Sequence, residues 1–312
     1  MEDSVDLVMN RHPVTAQLRT PKKDLAYLMT VRNKRQIPLL DENKKVIDVF
    51  WEKHIQEKDR LHCMSTPVVL MCGGKGTRLR PLTENMPKPM LPLAETPIIE
   101  HTIKSLASYG FHDLYLAVNY HADIIEDYCG DGSQWEVKIK YIREKKYLGT
   151  AGSLSLIREV LIEPVLVMNG DLLTGIDYTK LMNFHLQGQY ELTVGVKPYK
   201  IQVPYGIVQV AGHQVSRLEE KPVIPFLTNA GIYVLNPEIV PVIPDGQYFD
   251  MPQLIQNIIG TNGNVGAFPF HEYWQDIGRP KDYEQAGQDL SNGVEYSSSY
   301  LEDIGVTGGI KA

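Results

Sequence analysis

The residues best suited to chemistry begin at Met71-Cys72-Gly73-Gly74-Lys75-Gly76-Thr77-Arg78-Leu79-Arg80-Pro81-Leu82. Gly73, Gly74 and Gly76 follow an apolar run, so the backbone there can approach a phosphate closely with its N–H groups turned inward. Thr77 adds a hydroxyl donor, and Arg78 a planar fork of donors matched to phosphate oxygens. Further on, Lys88 stands between Pro87 and Pro89, two rigid flanks that would fix an ammonium as a point charge. Two familiar phosphate loops do not fit. A P-loop needs glycine at 69 and Ser or Thr at 76, where Val69 and Gly76 stand. A dinucleotide fingerprint needs glycine at 79, where Leu79 stands. The plain alternative is a Gly-rich turn with surface basic residues, and the Pro-Lys-Pro element weighs against it.

Two carboxylates complete the set. Asn169-Gly170-Asp171 follows the apolar run Val165 to Met168, which puts Asp171 at the C-terminal edge of a sheet, where open α/β folds bind ligands. Asp276 lies in Trp274-Gln275-Asp276-Ile277-Gly278-Arg279-Pro280. If the two aspartates converge, they suit Mg²⁺, a hard cation that prefers oxygen ligands and keeps several waters. The competing reading makes Asp171 a cap and Asp276 the start of a turn.

The elements that must position these residues alternate. Strands are predicted at Pro67 to Met71, Leu114 to Val118, Val137 to Ile142, Val165 to Met168 and Leu192 to Val196. Helices are predicted at Ile98 to Ser108, Ala122 to Tyr128, Ala151 to Val160 and Tyr178 to Leu186. Such alternation argues for an α/β fold with a doubly wound, mostly parallel sheet. From Tyr205 to Leu235, strands follow one another with polar insertions, the pattern of an antiparallel substrate-binding segment. Residues 1–62 differ. Val14-Thr15-Ala16, Gln36 to Leu40 and Val46 to Trp51 read as strands, with Asp41-Glu42-Asn43 as a turn. Pro21 to Arg32 reads as a helix, and a short helix follows Trp51. This small α+β unit joins the rest through a polar connector at 55–65. The tail, 291–312, is rich in Ser and Gly and is expected to be loosely held.

Composition narrows the function. The net charge of -7 disfavours a long nucleic acid as partner, because its backbone calls for a basic face. No apolar run approaches the roughly 20 residues of a membrane span, and the acidic N-terminus lacks a signal-peptide apolar core. Cys63, Cys72 and Cys129 show no metal-like spacing. Together these point to a reduced, cytoplasmic protein.

Gly73-Gly74-x-Gly76-Thr77-Arg78-Leu79-x-Pro81 followed by Pro87-Lys88-Pro89-x-Leu91-Pro92 resembles the sugar-1-phosphate nucleotidyltransferase family. Further matching runs are Leu148-Gly149-Thr150-Ala151-Gly152, Asn169-Gly170-Asp171, Tyr205-Gly206-Ile207, Glu219-Glu220-Lys221-Pro222, Asn229-Ala230-Gly231-Ile232-Tyr233 and Trp274-x-Asp276-Ile277-Gly278. The resemblance covers about residues 66–290 and implies a Rossmann-like fold. It also implies roles. Gly73, Gly74, Gly76, Thr77, Arg78 and Lys88 would bind the triphosphate, and Glu144, Gly149 and Thr150 would line the base side. Asp171 and Asp276 would hold Mg²⁺. Lys221 would contact the sugar phosphate, Glu220 the sugar hydroxyls, and Gly206 and Asn229 would line the sugar pocket. Arg78, Lys88, Asp171, Lys221 and Asp276 form the catalytic set. The substrates implied are an NTP and a sugar 1-phosphate. The Arg80-Pro81-Leu82-Thr83 continuation looks like GTP- and dTTP-using members more than CTP-using ones, and Glu144, unless it is a solvated strand residue, is a bidentate acceptor that suits guanine; GTP is favoured, with dTTP and UTP as alternatives.

The N-terminal unit resembles a CBS module in Met9-x-Arg11-x-Pro13-Val14-Thr15, Gln36-Ile37-Pro38-Leu39-Leu40-Asp41 and Lys45-Val46-Ile47. CBS modules work in pairs and often sense adenine nucleotides. Only one is present, Asp48 stands where a small glycine is usual, and the closing hydroxyl-x-Asp motif is missing. The single module is expected either to pair with a twin in another chain, giving a homo-oligomer, or to be the remnant of a pair that has lost its other half. A CBS module joined to this catalytic region resembles the glucosamine-1-phosphate and mannose-1-phosphate guanylyltransferases of bacterial surface-sugar pathways, such as that of legionaminic acid. A nucleotide-sensing regulator without turnover is the competing class. It would be favoured by loss of Lys88, Asp171 or Asp276, and all three are present.

Overall fold

The computed structural model describes residues 13–20, 25, 36–41, 43–51 and 66–294. The chain divides into two compact units, Met1–His62 and Cys63–Ala312. In the first, β1 (Ala16–Gln17) runs parallel to β2 (Gln36–Leu40), which pairs antiparallel with β3 (Val46–Trp51). The first strand thus starts two residues later than expected. Alternation along β2 turns Ile37 and Leu39 inward, where they meet Phe50 and Leu25. The expected turn is closed by Asp41, whose Oδ1 accepts the N–H groups of Asn43 and Lys45, each at 2.9 Å. The helix expected at Pro21 to Arg32 lies outside the described residues apart from Leu25, as do the short helix after Trp51 and the connector. The expected tail is described only as far as Val294.

The second unit is built on β4 (Val68–Met71), a two-stranded ribbon of β5 (Pro92–Leu93) and β6 (Thr96–Pro97), α1 (Ile98–Ser108), β7 (Asp113–Val118), α2 (Ala122–Cys129) and β8 (Lys138–Arg143). There follow β9 (Val165–Asn169), β10 (Leu172–Thr174), α3 (Tyr178–Gln187), β11 (Leu192–Gln202), β12 (Ile207–Ala211), β13 (Gln214–Glu219) and β14 (Val223–Leu235). The unit ends with α4 (Met251–Gly260), β15 (Val265–Pro269), β16 (Trp274–Asp276) and α5 (Pro280–Ser291). The main sheet has the order β15-β11-β14-β9-β4-β7-β8. All its neighbours pair in parallel except β14, which is antiparallel to both β11 and β9. β12 and β13 form a separate exposed hairpin, and β10 pairs with β16.

Both faces of the sheet are covered, so its strands read as continuous apolar runs. Alternation sends Val68 and Leu70 to one face, under Ile103, Leu106, Ile125 and Leu181 of α1, α2 and α3. Val69, Ala117 and Val167 face the other way, against Leu154, Ile239 and Leu254. Each such fully buried aliphatic side chain contributes about 1.5–3 kcal/mol. That stability lets the C-terminal rim of the sheet carry polar, tightly turned loops.

The helix expected at Ala151 to Val160 is instead two 3₁₀ turns, Gly152–Leu156 and Arg158–Val160. The Ala151 and Gly152 N–H groups are drawn out to the Phe249 carbonyl at 3.0 and 2.9 Å. The Ser155 hydroxyl takes the Gly152 carbonyl at 2.7 Å. Serine side chains that bond nearby backbone in this way favour turns over regular helix. α4 and α5 were not expected, although Asp250 and Gln253 form a capping box and Pro252 and Pro280 stand in first helical turns.

Candidate active site

Four stretches carrying the candidate charges are tied down by one apolar cluster. Leu79 follows Arg78, Leu91 follows the Pro-Lys-Pro element, Leu173 follows Asp171 and Ile277 follows Asp276. All four leucine and isoleucine side chains pack together with Ile98 and Ala286. The β10–β16 register sets Asp276 opposite Leu172, and the Ile277 N–H donates to the Asp171 carbonyl at 3.2 Å. Residues about a hundred positions apart are thereby fixed side by side.

Lys88 is nine-tenths buried and its ammonium donates to Asp171 Oδ2, with Asp276 Oδ1 at 3.8 Å. Gly76 passes so close that any Cβ there would lie 3.2 Å from the Lys88 Cβ. Burial, and then the neighbouring Asp171 charge, push the Asp276 carboxyl above its ordinary range, while Lys88 and Arg78 pull it back. The other Asp171 oxygen, Oδ1, is buried and has no hydrogen-bond partner. A carboxylate oxygen orphaned beside a second carboxylate is a donor set that fits a hard divalent cation. Among the described residues no group of three or more His, Cys, Asp or Glu forms a metal cage. Phosphate oxygens and water would complete the shell, as Mg²⁺ prefers.

These residues line one cleft of about 440 Å³. Gly73, Gly74, Gly76, Thr77, Arg78, Lys88, Asp171 and Asp276 form one side, and Glu144, Gly149 and Thr150 the other. Glu144 is buried, and burial pushes its carboxyl up to about 7, although the Leu148 N–H, at 3.0 Å from Oε2, works the other way. Its backbone is fixed from both sides: Glu144 N–H donates to the Val118 carbonyl at 3.0 Å and Asn119 Nδ2 to the Glu144 carbonyl at 2.8 Å. A Cβ at Gly73 would sit 3.2 Å from Glu144 Oε2, so only glycine leaves this wall open. Thr150 turns its amide and hydroxyl to Asp250 rather than into the cleft. Cys72, at the root of the glycine loop, is kept protonated by burial.

The residues expected around the sugar lie apart from this cleft. Gly206, Glu220 and Lys221 are exposed. Gly206 and Glu220 are brought together, since a Cβ at 206 would lie 2.8 Å from Glu220 Oε2. Lys221 adopts φ 45° in the turn that links β13 to β14. Asn229 uses Oδ1 to accept the Gly231 N–H at 2.9 Å and lies in a different groove, with Val196 and Ile255. Three residues that sequence reasoning missed sit at the cleft: Tyr147 and Asn169 in its lining, and Asp250 behind Thr150. The capping-box spacing of Asp250 and Gln253 was the readable signal for the last.

The chain is similar to known proteins in sequence and in fold. The sequence model of the family described as Nucleotidyl transferase matches residues 67–293. The mannose-1-phosphate guanylyltransferase of Mycobacterium tuberculosis is 31% identical over 239 residues, covering 72% of this chain and 65% of that protein. The mannose-1-phosphate guanyltransferase of Yarrowia lipolytica is 34% identical over 223 residues, covering 69% of this chain and 61% of that protein. The chain thus spans less than two thirds of the length of these curated relatives. Among solved structures, HddC from Yersinia pseudotuberculosis complexed with GMP-PN has a TM-score of 0.58 at 26% identity, covering 72% of this chain and 99% of that chain. Among the described residues, no helix is long and apolar enough to cross a membrane. A family match over most of the chain, falling on the segment that builds the glycine loop, Lys88 and both aspartates, means that this chain belongs to the nucleotidyl transferase family.

Proposed function

We propose that the protein condenses GTP with a hexose or hexosamine 1-phosphate, giving a GDP-sugar and pyrophosphate for surface-glycan synthesis. One observation carries the reaction class: Lys88, Asp171 and Asp276 meet at the end of a phosphate-sized glycine loop. In the reaction, an oxygen of the sugar phosphate forms a bond to the α-phosphorus of the NTP, and the bond from that phosphorus to the leaving pyrophosphate breaks. The nucleophile is already an anion, so no general base is needed, and the site supplies alignment and charge. Bringing two anions together costs several kcal/mol at low effective dielectric. Mg²⁺ held by Asp171 and Asp276 would supply positive charge at the α-phosphate. Arg78 and Lys88 hold charge as it grows on the leaving group. Lys221 and Glu220 would take the sugar phosphate and its hydroxyls, with Gly206 beside Glu220 and Asn229 reaching the sugar from a separate groove.

Guanine is the base favoured by Glu144. Its carboxylate can accept both N1–H and the 2-amino group, and the similar mannose-1-phosphate guanylyltransferases support a guanine nucleotide. The N-terminal unit serves as a single CBS-like module that pairs with a second copy, making a dimer of a cytoplasmic enzyme. The parallel β1–β2 and antiparallel β2–β3 pairs support the CBS-like strand arrangement alone. Pyrophosphate release measured for GTP, dTTP, UTP and ATP against mannose, glucose and glucosamine 1-phosphates tests the assignment. Release only with GTP and one sugar phosphate supports it, and fast release with dTTP or UTP alone refutes the guanine assignment.

A further inference from the structure

We propose that Asp250 is a positioning residue for nucleotide binding, its two carboxylate oxygens holding together the two loop segments on the base side of the cleft. The inference rests on the cleft being the nucleotide site. Oδ1 accepts from the Thr150 N–H at 3.0 Å and from its hydroxyl at 3.2 Å. Oδ2 accepts from the Tyr248 hydroxyl. The Tyr248 ring packs edge-on against Tyr147, with centroids 5.9 Å apart, and Tyr147 lines the cleft. One side chain therefore touches both parts of the wall.

The rest of the contact is backbone. The Thr150 hydroxyl accepts the Met251 N–H at 2.9 Å, and the Phe249 N–H donates to the Leu148 carbonyl at 2.9 Å. Gly149, at φ 83°, approaches so closely that a Cβ would lie 2.7 Å from both Asp250 Oδ1 and the Phe249 carbonyl oxygen. Asp250 is rigid enough for this task because it begins α4, where its N–H donates to Gln253 Oε1 at 2.8 Å in a capping box. The chain of contacts ends at Glu144, whose Oε2 takes the Leu148 N–H. Asp250 thus acts through the turn 148–152 to present Glu144 and the wall beside it. Without Asp250 the nucleotide must order this turn as it binds, and that cost falls on nucleotide affinity. The phosphate chemistry occurs at the other side of the cleft and is spared.

The test is steady-state pyrophosphate release from GTP and mannose 1-phosphate by wild type, Asp250→Ala, Asp250→Asn and Tyr248→Phe, with GTP affinity by calorimetry. Asp250→Ala should raise the KM and Kd for GTP about tenfold, the scale of losing hydrogen bonds to a charged acceptor, while kcat stays within about threefold. Asp250→Asn keeps an acceptor for Thr150 and should recover most of the affinity. Tyr248→Phe, an exposed and conservative change, should weaken GTP by about threefold and keeps the test open should Asp250→Ala not fold. A folded Asp250→Ala with wild-type GTP affinity, or one that loses kcat alone, overturns the proposal, as does an unaffected Tyr248→Phe. Wild type that binds GTP but consumes no sugar phosphate contradicts the functional reading and leaves the affinity comparison to decide the role of Asp250. Wild type that binds no GTP contradicts both.

Discussion

Glu144 gives the proposed guanine reading its most exposed consequence, because that reading needs an ionised carboxylate and burial pushes this carboxyl up to about 7. The sign follows directly. Below pH 7 the carboxyl carries a proton and offers only one acceptor to a base with two donors. Above pH 7 it is an anion and accepts both. With a midpoint near 7, about a tenth of the site is competent at pH 6 and about nine tenths at pH 8. Affinity for GTP should therefore improve about tenfold across that range. Stability runs the opposite way. A folded-state value raised above that of the unfolded chain means the protonated form is favoured on folding. This contribution is present at low pH and is lost as pH rises through 7, on the order of 3 kcal/mol in all. Calorimetric titration of GDP-mannose at several pH values is the cleanest assay, because its diphosphate stays ionised throughout while GTP itself takes up a proton. Glu144→Gln should bind about tenfold more weakly at pH 8 and show a flat profile. Wild-type affinity that does not change between pH 6 and 8, or a Glu144→Gln profile with the same slope, refutes the reasoning.

Other consequences follow from the same contacts. Lys88→Ala should lower turnover by about a hundredfold, the cost of one electrostatic stabiliser, with pyrophosphate release as the readout. Gly149→Ala faces both φ 83° and a carbonyl 2.7 Å from the new Cβ, so the melting temperature should fall by several degrees, as scanning calorimetry would show. His185 is buried between Thr193 Oγ1 at 2.9 Å and Asn236 Oδ1 at 3.1 Å, and burial lowers its pKa. The neutral ring is favoured in the fold, so stability should fall as pH drops below about 6.5. Urea melts of wild type and His185→Gln from pH 5 to 8 should converge toward the acid end.

Local pattern carried much of this fold into the sequence. The apolar run at Val68–Met71, buried on both faces, and the exact span of the helix Ile98–Ser108 are legible from periodicity and flanking prolines. The glycine loop, Lys88, Asp171 and Asp276 are legible because their chemistry is written in adjacent residues. Their meeting is not, since it depends on the β10–β16 register and on a cluster drawn from four distant segments. In place of the helix expected at Ala151 to Val160 stand 3₁₀ turns whose first two amides bond to Phe249, nearly a hundred residues on, a contact that local pattern does not show. The helix-capping role of Asp250 was readable from its spacing to Gln253, but its contact with Thr150, a hundred residues earlier, was not. The antiparallel direction of β14 was legible, because Tyr205 to Leu235 reads as strands in a row, and β14 pairs antiparallel with both β11 and β9.

The proposed function turns on Asp171, whose unpartnered carboxylate oxygen beside Asp276 and Lys88 would help hold the charge that lets two phosphates meet. Pyrophosphate release from GTP and mannose 1-phosphate in the presence of Mg²⁺, compared for wild type and folded Asp171→Asn, tests it most directly. Wild type should release pyrophosphate only when the sugar phosphate is present, and Asp171→Asn should be slower by about a hundredfold or more. An Asp171→Asn protein that folds normally and turns over at the wild-type rate would contradict the account.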